Sequence, residues 1–200
     1  MLRRQIAAMA AVLSLCAVPV QAQLAITVSG GATVPLGGFD TGSNSFWTGT
    51  STGWMGTLGL MQDVGGKGLG LGGDLYYGEN PWAEFDGAKS KLGGALATAR
   101  WRFGDAAKPN VFVVGNLGYM KHTRRSPSHV CANPCPADLV ESSDDGLAYG
   151  AGAGIEIPRG RMTWYLLARY LAADISDAAT GIAAPTVAPI TIGVSFPLRK

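Results

Sequence analysis

The chain has 200 residues, 16 basic and 14 acidic, with a formal net charge of +2. That is room for one domain, and a near-neutral chain without a basic stripe gives no argument for nucleic-acid binding. Beyond residue 22, no stretch approaches the roughly 18 to 20 apolar residues of a membrane-spanning helix, so a membrane would have to be crossed by a barrel of strands.

Arg3 and Arg4 precede an apolar run from Ile6 to Val20, and Val20-Gln21-Ala22 forms a small-residue end before Gln23. This is the pattern of a secretory signal peptide, with cleavage expected after Ala22. Residues 1–22 would be removed and 23–200 would form the working domain. The run is too short and too rich in Ala for a membrane anchor. Leu15, directly before Cys16, is bulkier than a lipoprotein signal accepts. Losing Arg3 and Arg4 leaves the remainder balanced in charge.

Segment 24–34 sets Leu24, Ile26, Val28, Ala32 and Val34 against Ala25, Thr27, Ser29, Gly31 and Thr33, the period of two of a strand. Pro35 and the pair Gly37-Gly38 break it. In 52–62 the outward face is Trp54, Leu58 and Leu60, and Gly65-Gly66-Lys67 makes a short turn. Segment 67–78 has the clearest dyad repeat: Leu69, Leu71, Leu75 and Tyr77 oppose Gly68, Gly70, Gly72, Asp74 and Tyr76. A soluble sandwich does not readily bury so many Leu opposite a row of Gly. A narrow barrel lumen accepts Gly, because small side chains leave space for large ones from neighbouring strands.

In 91–103, Trp101 and Phe103 alternate with Arg100 and Arg102. Segment 111–121 begins apolar on both faces, then places Asn116 and Gly118 inward and Leu117 and Tyr119 outward. Segment 146–157 opposes Leu147, Tyr149, Ala151, Ala153, Ile155 and Ile157 to Gly150, Gly152, Gly154 and Glu156. In 161–172, Met162, Trp164, Leu166, Ala168 and Tyr170 face out and Arg169 faces in. The last strand, 186–196, shows Ile190, Ile192, Val194 and Phe196 on one face and Thr191, Gly193 and Ser195 on the other.

Long connections (36–51, 79–90, 122–145 and 173–185) alternate with short ones (62–67, 104–109 and 158–160). The expected fold is all-β: an eight-stranded antiparallel up-and-down transmembrane β-barrel, closed by pairing 24–34 with 186–196. Its apolar side faces lipid. Both termini lie on the short-turn side, which is the periplasmic plan, and the long loops are extracellular. No internal repeat beyond this hairpin rhythm is present.

The chain resembles the small eight-stranded outer-membrane barrels of Gram-negative-type bacteria, the broad family that includes the OmpA and OmpX barrels. The resemblance covers residues 23–200 and is carried by GGATVPLGGFD leading to TGW, by Ala168-Arg169-Tyr170 and by the closing PITIGVSF. It implies residence in the bacterial outer membrane, contact with lipid and lipopolysaccharide, and assembly by the barrel-assembly machinery. In the family the last strand ends on an aromatic that this machinery reads, here Phe196, although PLRK follows it.

The inward faces bring Asp74, Arg100, Arg102, Glu156 and Arg169 into the lumen, where buried charges must be paired. A structural plug is expected, because an eight-stranded interior is just wide enough for side chains; a charge-lined ion path is the alternative. Trp54, Tyr77, Trp101, Tyr149, Trp164 and Tyr170 read as an interfacial aromatic girdle rather than a carbohydrate site. Cys131 and Cys135, exported and separated by three residues, suit a small loop disulfide. A metal or redox site would need further ligands, and His122 and His129 match no zinc spacing.

No cofactor or metal is expected. A lipid A deacylase would need a serine, a histidine and a carboxylate in reach. His122, Ser126, Ser128, His129 and Glu141 all fall in the third long connection, a Pro-rich and poorly rigid frame. The expected role is therefore structural or interactive, a monomer whose four loops meet an external partner. The competing reading is a ligand carrier: a lipocalin-like soluble barrel with its apolar face inward, or a narrow channel for hydrophobic solutes.

Overall fold

Alternating side chains commit each segment to two faces, and the segments close on themselves. The computed structural model describes residues 24–41, 49–64, 66, 68–82, 86–127, 139–175 and 184–198. Its elements are β1 (Leu24–Pro35), a short helix α1 (Gly38–Thr41), β2 (Gly53–Val64), β3 (Leu69–Pro81), β4 (Lys89–Phe103), β5 (Asn110–Pro127), β6 (Leu139–Arg159), β7 (Met162–Asp174) and β8 (Thr186–Pro197). Each strand pairs antiparallel with the next, and β1 pairs with β8 to close the barrel. At the closure Ile26 lies opposite Phe196, Val28 opposite Val194 and Gly30 opposite Ile192. Closure leaves the sheet without an edge strand, which is what permits strands to sit in hydrocarbon; among the described residues the top of β6, above Leu147, lacks a partner on the β7 side.

The outer wall is apolar on every strand. Leu58 is 53% exposed, Leu117 56% and Ile192 60%. A soluble carrier requires the reverse arrangement, and these exposures oppose it. The outward aromatics fall at two ends rather than in one belt. Trp54, Tyr77, Tyr119, Tyr149 and Tyr170 lie towards the long-loop end, and Trp101, Phe103, Trp164 and Phe196 towards the short-turn end, all exposed. Trp54 and Tyr77 touch across neighbouring strands, with centroids 5.7 Å apart. The turn between β6 and β7 is tight because Gly160 adopts a φ of 62°, a region costly for other residues.

Two of the expected connections are shorter than the sequence reading gave. The third, 122–145, was the largest discrepancy: β5 and β6 continue as a paired ribbon, with Lys121 opposite Asp145, His122 opposite Asp144 and Arg125 opposite Glu141. Above the membrane the outer face meets water and the buried inner face carries polar groups such as His122 and Arg124, so the apolar alternation that marks a strand disappears. Opposite charges facing each other across the ribbon support the pairing instead. The second, 79–90, contracts for the same reason, with Glu79 opposite Lys91 and Asn80 opposite Ser90. Cys131 and Cys135 lie outside the described residues, as do residues 1–23.

Candidate functional site

The lumen is where the sequence concentrates its charges, and it is built in layers. Arg100 and Arg102 are two apart on β4, so both point inward, about 7 Å apart along the strand. They meet Asp63 from β2 and Glu156 from β6 near the short-turn mouth. Arg100 donates through Nη1 to Glu156 Oε2 at 3.3 Å and through Nη2 to Asp63 Oδ1 at 3.2 Å. Arg102 donates through Nε to Glu156 Oε1 and lies 3.6 Å from Asp63 Oδ2 through Nη1. Each carboxylate thus serves both guanidinium groups, and Glu156 is only 2% exposed.

Asp63 is the member that sequence reading missed. It sits one residue past the expected end of strand two, where the turn was placed. Extending the inward series Thr57, Gly59, Met61 by one step would have found it.

The second layer is centred on Asp74 of β3. Its Oδ2 accepts from Arg169 Nη1 at 3.1 Å and from Thr98 Oγ1 at 3.0 Å, and Thr98 in turn accepts from Asn116 Nδ2 at 2.8 Å. Gly59 stands opposite Asp74 in the β2 and β3 register. A Cβ there would overlap Asp74 Oδ1 and crowd Thr27 Oγ1, so glycine makes the room that the carboxylate occupies. Phe112, Val114, Leu167 and Tyr165 pack between the two layers, with the Arg100 guanidinium 5.9 Å from the Phe112 ring centre.

Towards the long-loop end the lumen turns apolar. Met55, Leu92, Leu96, Met120, Leu171 and Val187 form a buried cluster there, and Phe39 from α1 folds over it. The Phe39 carbonyl is held by Thr50, through its N–H at 3.0 Å and its hydroxyl at 2.9 Å. Apolar side chains fill this space without the pairing that buried charges demand.

A polar rim follows above the aromatics. Arg124 pairs with Asp144 at 2.5 Å, Lys89 with Glu79 at 2.8 Å and Lys91 with Glu141 at 3.2 Å. Hydrogen bonds from Lys89 and Tyr77 hold the Glu79 carboxyl below its usual range. His122, about 10 Å past Tyr119 along β5 and so beyond the lipid band, is 2% exposed and meets the Phe39 ring edge-on at 5.6 Å. Burial, and then the Arg124 charge, push its imidazole down to about 3, so it is neutral at ordinary pH.

These positions separate the residues weighed for a hydrolase. His122 faces into the barrel, whereas Glu141 lies on the other face of the β5 and β6 ribbon and pairs with Lys91. Ser128 and His129 lie outside the described residues. Among the described residues no group of three or more His, Cys, Asp or Glu is placed to hold a metal.

Cavities lie at two levels of the lumen among the described residues. One of about 440 Å³ opens at the short-turn mouth and is lined by Asp63, Arg102, Glu156 and Arg161, among others. Deeper, beside Asp74, lies one of only about 30 Å³. The sequence matches the model of a family described as "Outer membrane protein beta-barrel domain" over residues 8–196. The chain belongs to that family. Its members' setting, the bacterial outer membrane, accounts for an apolar outer wall around a polar and packed interior.

Among solved structures, the chain is similar to Neisserial surface protein A, at a TM-score of 0.62 and 11% identity, covering 90% of this chain and 100% of that one. It is also similar to the N-terminal β-barrel domain of Pseudomonas aeruginosa OprF, at a TM-score of 0.48 and 14% identity over 88% of this chain and all of that one. Ail of Yersinia pestis follows at 0.46 and 14%, over 88% of this chain and 96% of that one. At 11% identity the likeness to Neisserial surface protein A is one of fold. No curated protein matches the chain.

Proposed function

We propose that this outer-membrane barrel is a non-conducting, non-enzymatic wall element whose specific work is done by its extracellular loops. The observation that carries the reading is the packing of the lumen. Above the short-turn vestibule, paired charges and then apolar side chains occupy the lumen among the described residues, and the cavity beside Asp74 is only about 30 Å³. That is room for about one water, not for a hydrated ion.

The rest of the reading follows the same plan. The segment 1–22 is a signal peptide cut after Ala22, and Phe196 is the aromatic recognised by the barrel-assembly machinery. Cys131 and Cys135 close a disulfide that narrows the third loop. Trp54, Tyr77, Tyr149 and Tyr170 anchor the outer lipid boundary, and Trp101 and Trp164 the inner one. Lipopolysaccharide surrounds the upper rim, and an external partner meets the monomer through the loops within 36–51, 79–90, 122–145 and 173–185.

Planar-bilayer recording of the purified protein tests the reading. The expected trace is flat at voltages that open a general porin. Steady unitary conductance from the wild-type protein would overturn the sealed lumen and favour the narrow-channel alternative, for which the 440 Å³ vestibule would then be the entrance.

A further inference from the structure

Two buried donors in the lumen have no protein acceptor. Arg100 and Arg169 place their Nη atoms on carboxylates, yet the Nε of each is buried without a hydrogen-bond partner. Both side chains line the same cavity of about 30 Å³. Arg169 is almost wholly enclosed, its side chain 4% exposed. Folded proteins seldom leave a buried N–H unsatisfied, least of all on a charged group. A cavity of this size takes a single water-sized group.

We infer that the cavity is a binding site for one water molecule that accepts hydrogen bonds from Nε of both Arg100 and Arg169. Charge selects water over a halide. The buried cations Arg100, Arg102 and Arg169 are matched one for one by Asp63, Asp74 and Glu156, so an added anion would leave uncompensated negative charge in the lumen. A water that accepts two N–H bonds still has two protons to donate. Asp74, which lines the cavity, offers carboxylate oxygens as acceptors, and Thr27 and Tyr165 line it as well. Two to four partners is the usual complement of a buried water.

The consequence is a single polar network. No ion pair joins the Asp74 layer to the Arg100 layer among the described residues; the water does. The network then runs from the vestibule to Asp74 and stops below Met55 and Leu96. The site follows from lumen packing and is independent of what the loops bind.

Crystals of the wild-type protein grown in bromide test the inference directly. The expected result is a density peak within hydrogen-bond distance of both Nε atoms, with no bromide anomalous signal. An anomalous peak there would make it a halide site, and a cavity without density would remove the site; either overturns the inference. In detergent micelles, the Nε–H resonances of Arg100 and Arg169 should both show magnetisation transfer to a bound water. Val114→Leu, which fills the cavity, should abolish the transfer at both resonances in protein that keeps its barrel mobility on an unboiled gel. Transfer persisting at both in that variant contradicts a water at this place.

Discussion

Arg169 and Asp74 show what a lumen charge contributes. The pair is buried, with side chains 4% and 9% exposed. Removing either partner alone leaves an uncompensated charge, at a cost of about 3 to 5 kcal/mol, whereas replacing both with apolar residues of similar volume is close to neutral. Arg169→Met should therefore destabilise the barrel by about that amount in urea titrations, and Asp74→Leu combined with Arg169→Met should recover most of it. Equal and additive losses from the two substitutions would mean that the groups do not act as a pair. His122 carries a pH dependence of its own. Its folded-state value, about 3, lies below the ordinary 6.5, so the unfolded chain binds a proton that the folded chain refuses. Stability from this residue is complete above pH 6.5 and declines as pH falls towards 3, by up to about 1.4 kcal/mol per unit. Unfolding midpoints measured from pH 7.5 to 4.5 should fall more steeply for the wild type than for His122→Phe; parallel slopes would contradict a buried neutral imidazole.

At the scale of the strand, the outer wall is the testable element. Leu58 on β2 lies midway between the two aromatic levels and opposite Leu75 of β3. Leu58→Arg places a charge near the bilayer midplane and should cost about 2 to 4 kcal/mol. The inward neighbour change Thr57→Ser should cost far less, so the contrast in refolding yield into bilayers reads out the facing. The strands themselves were legible because lipid-facing residues must be apolar at every second position, as Leu69, Leu71, Leu75 and Tyr77 are. Legibility failed where that constraint lapses. Above the lipid, Thr123, Arg124 and Arg125 are polar on both faces, and a paired ribbon reads as a loop. Inside, Leu92, Met120 and Leu171 are apolar at lumen positions, and nothing in a period of two distinguishes an apolar residue packed in the lumen from a break in the pattern. Asp63 was lost to a strand end misplaced by one or two residues. Asp74, Arg100, Arg102, Glu156 and Arg169 point into the lumen because one register, fixed by the outer face, fixes the inner face too.

For the whole molecule, the two faces are a single commitment. An apolar wall that closes into a barrel is at home in a bilayer, and the sealed lumen proposed above is the other face of the same arrangement. The measurement that tests this most directly is cell fractionation followed by gel mobility of boiled and unboiled protein. A lipid-facing barrel predicts recovery in the outer membrane, with a band that shifts on heating as the barrel unfolds. Recovery in the soluble periplasmic fraction without a heat-dependent shift would contradict it, and would require Leu58, Leu117 and Ile192 to be covered by something other than lipid.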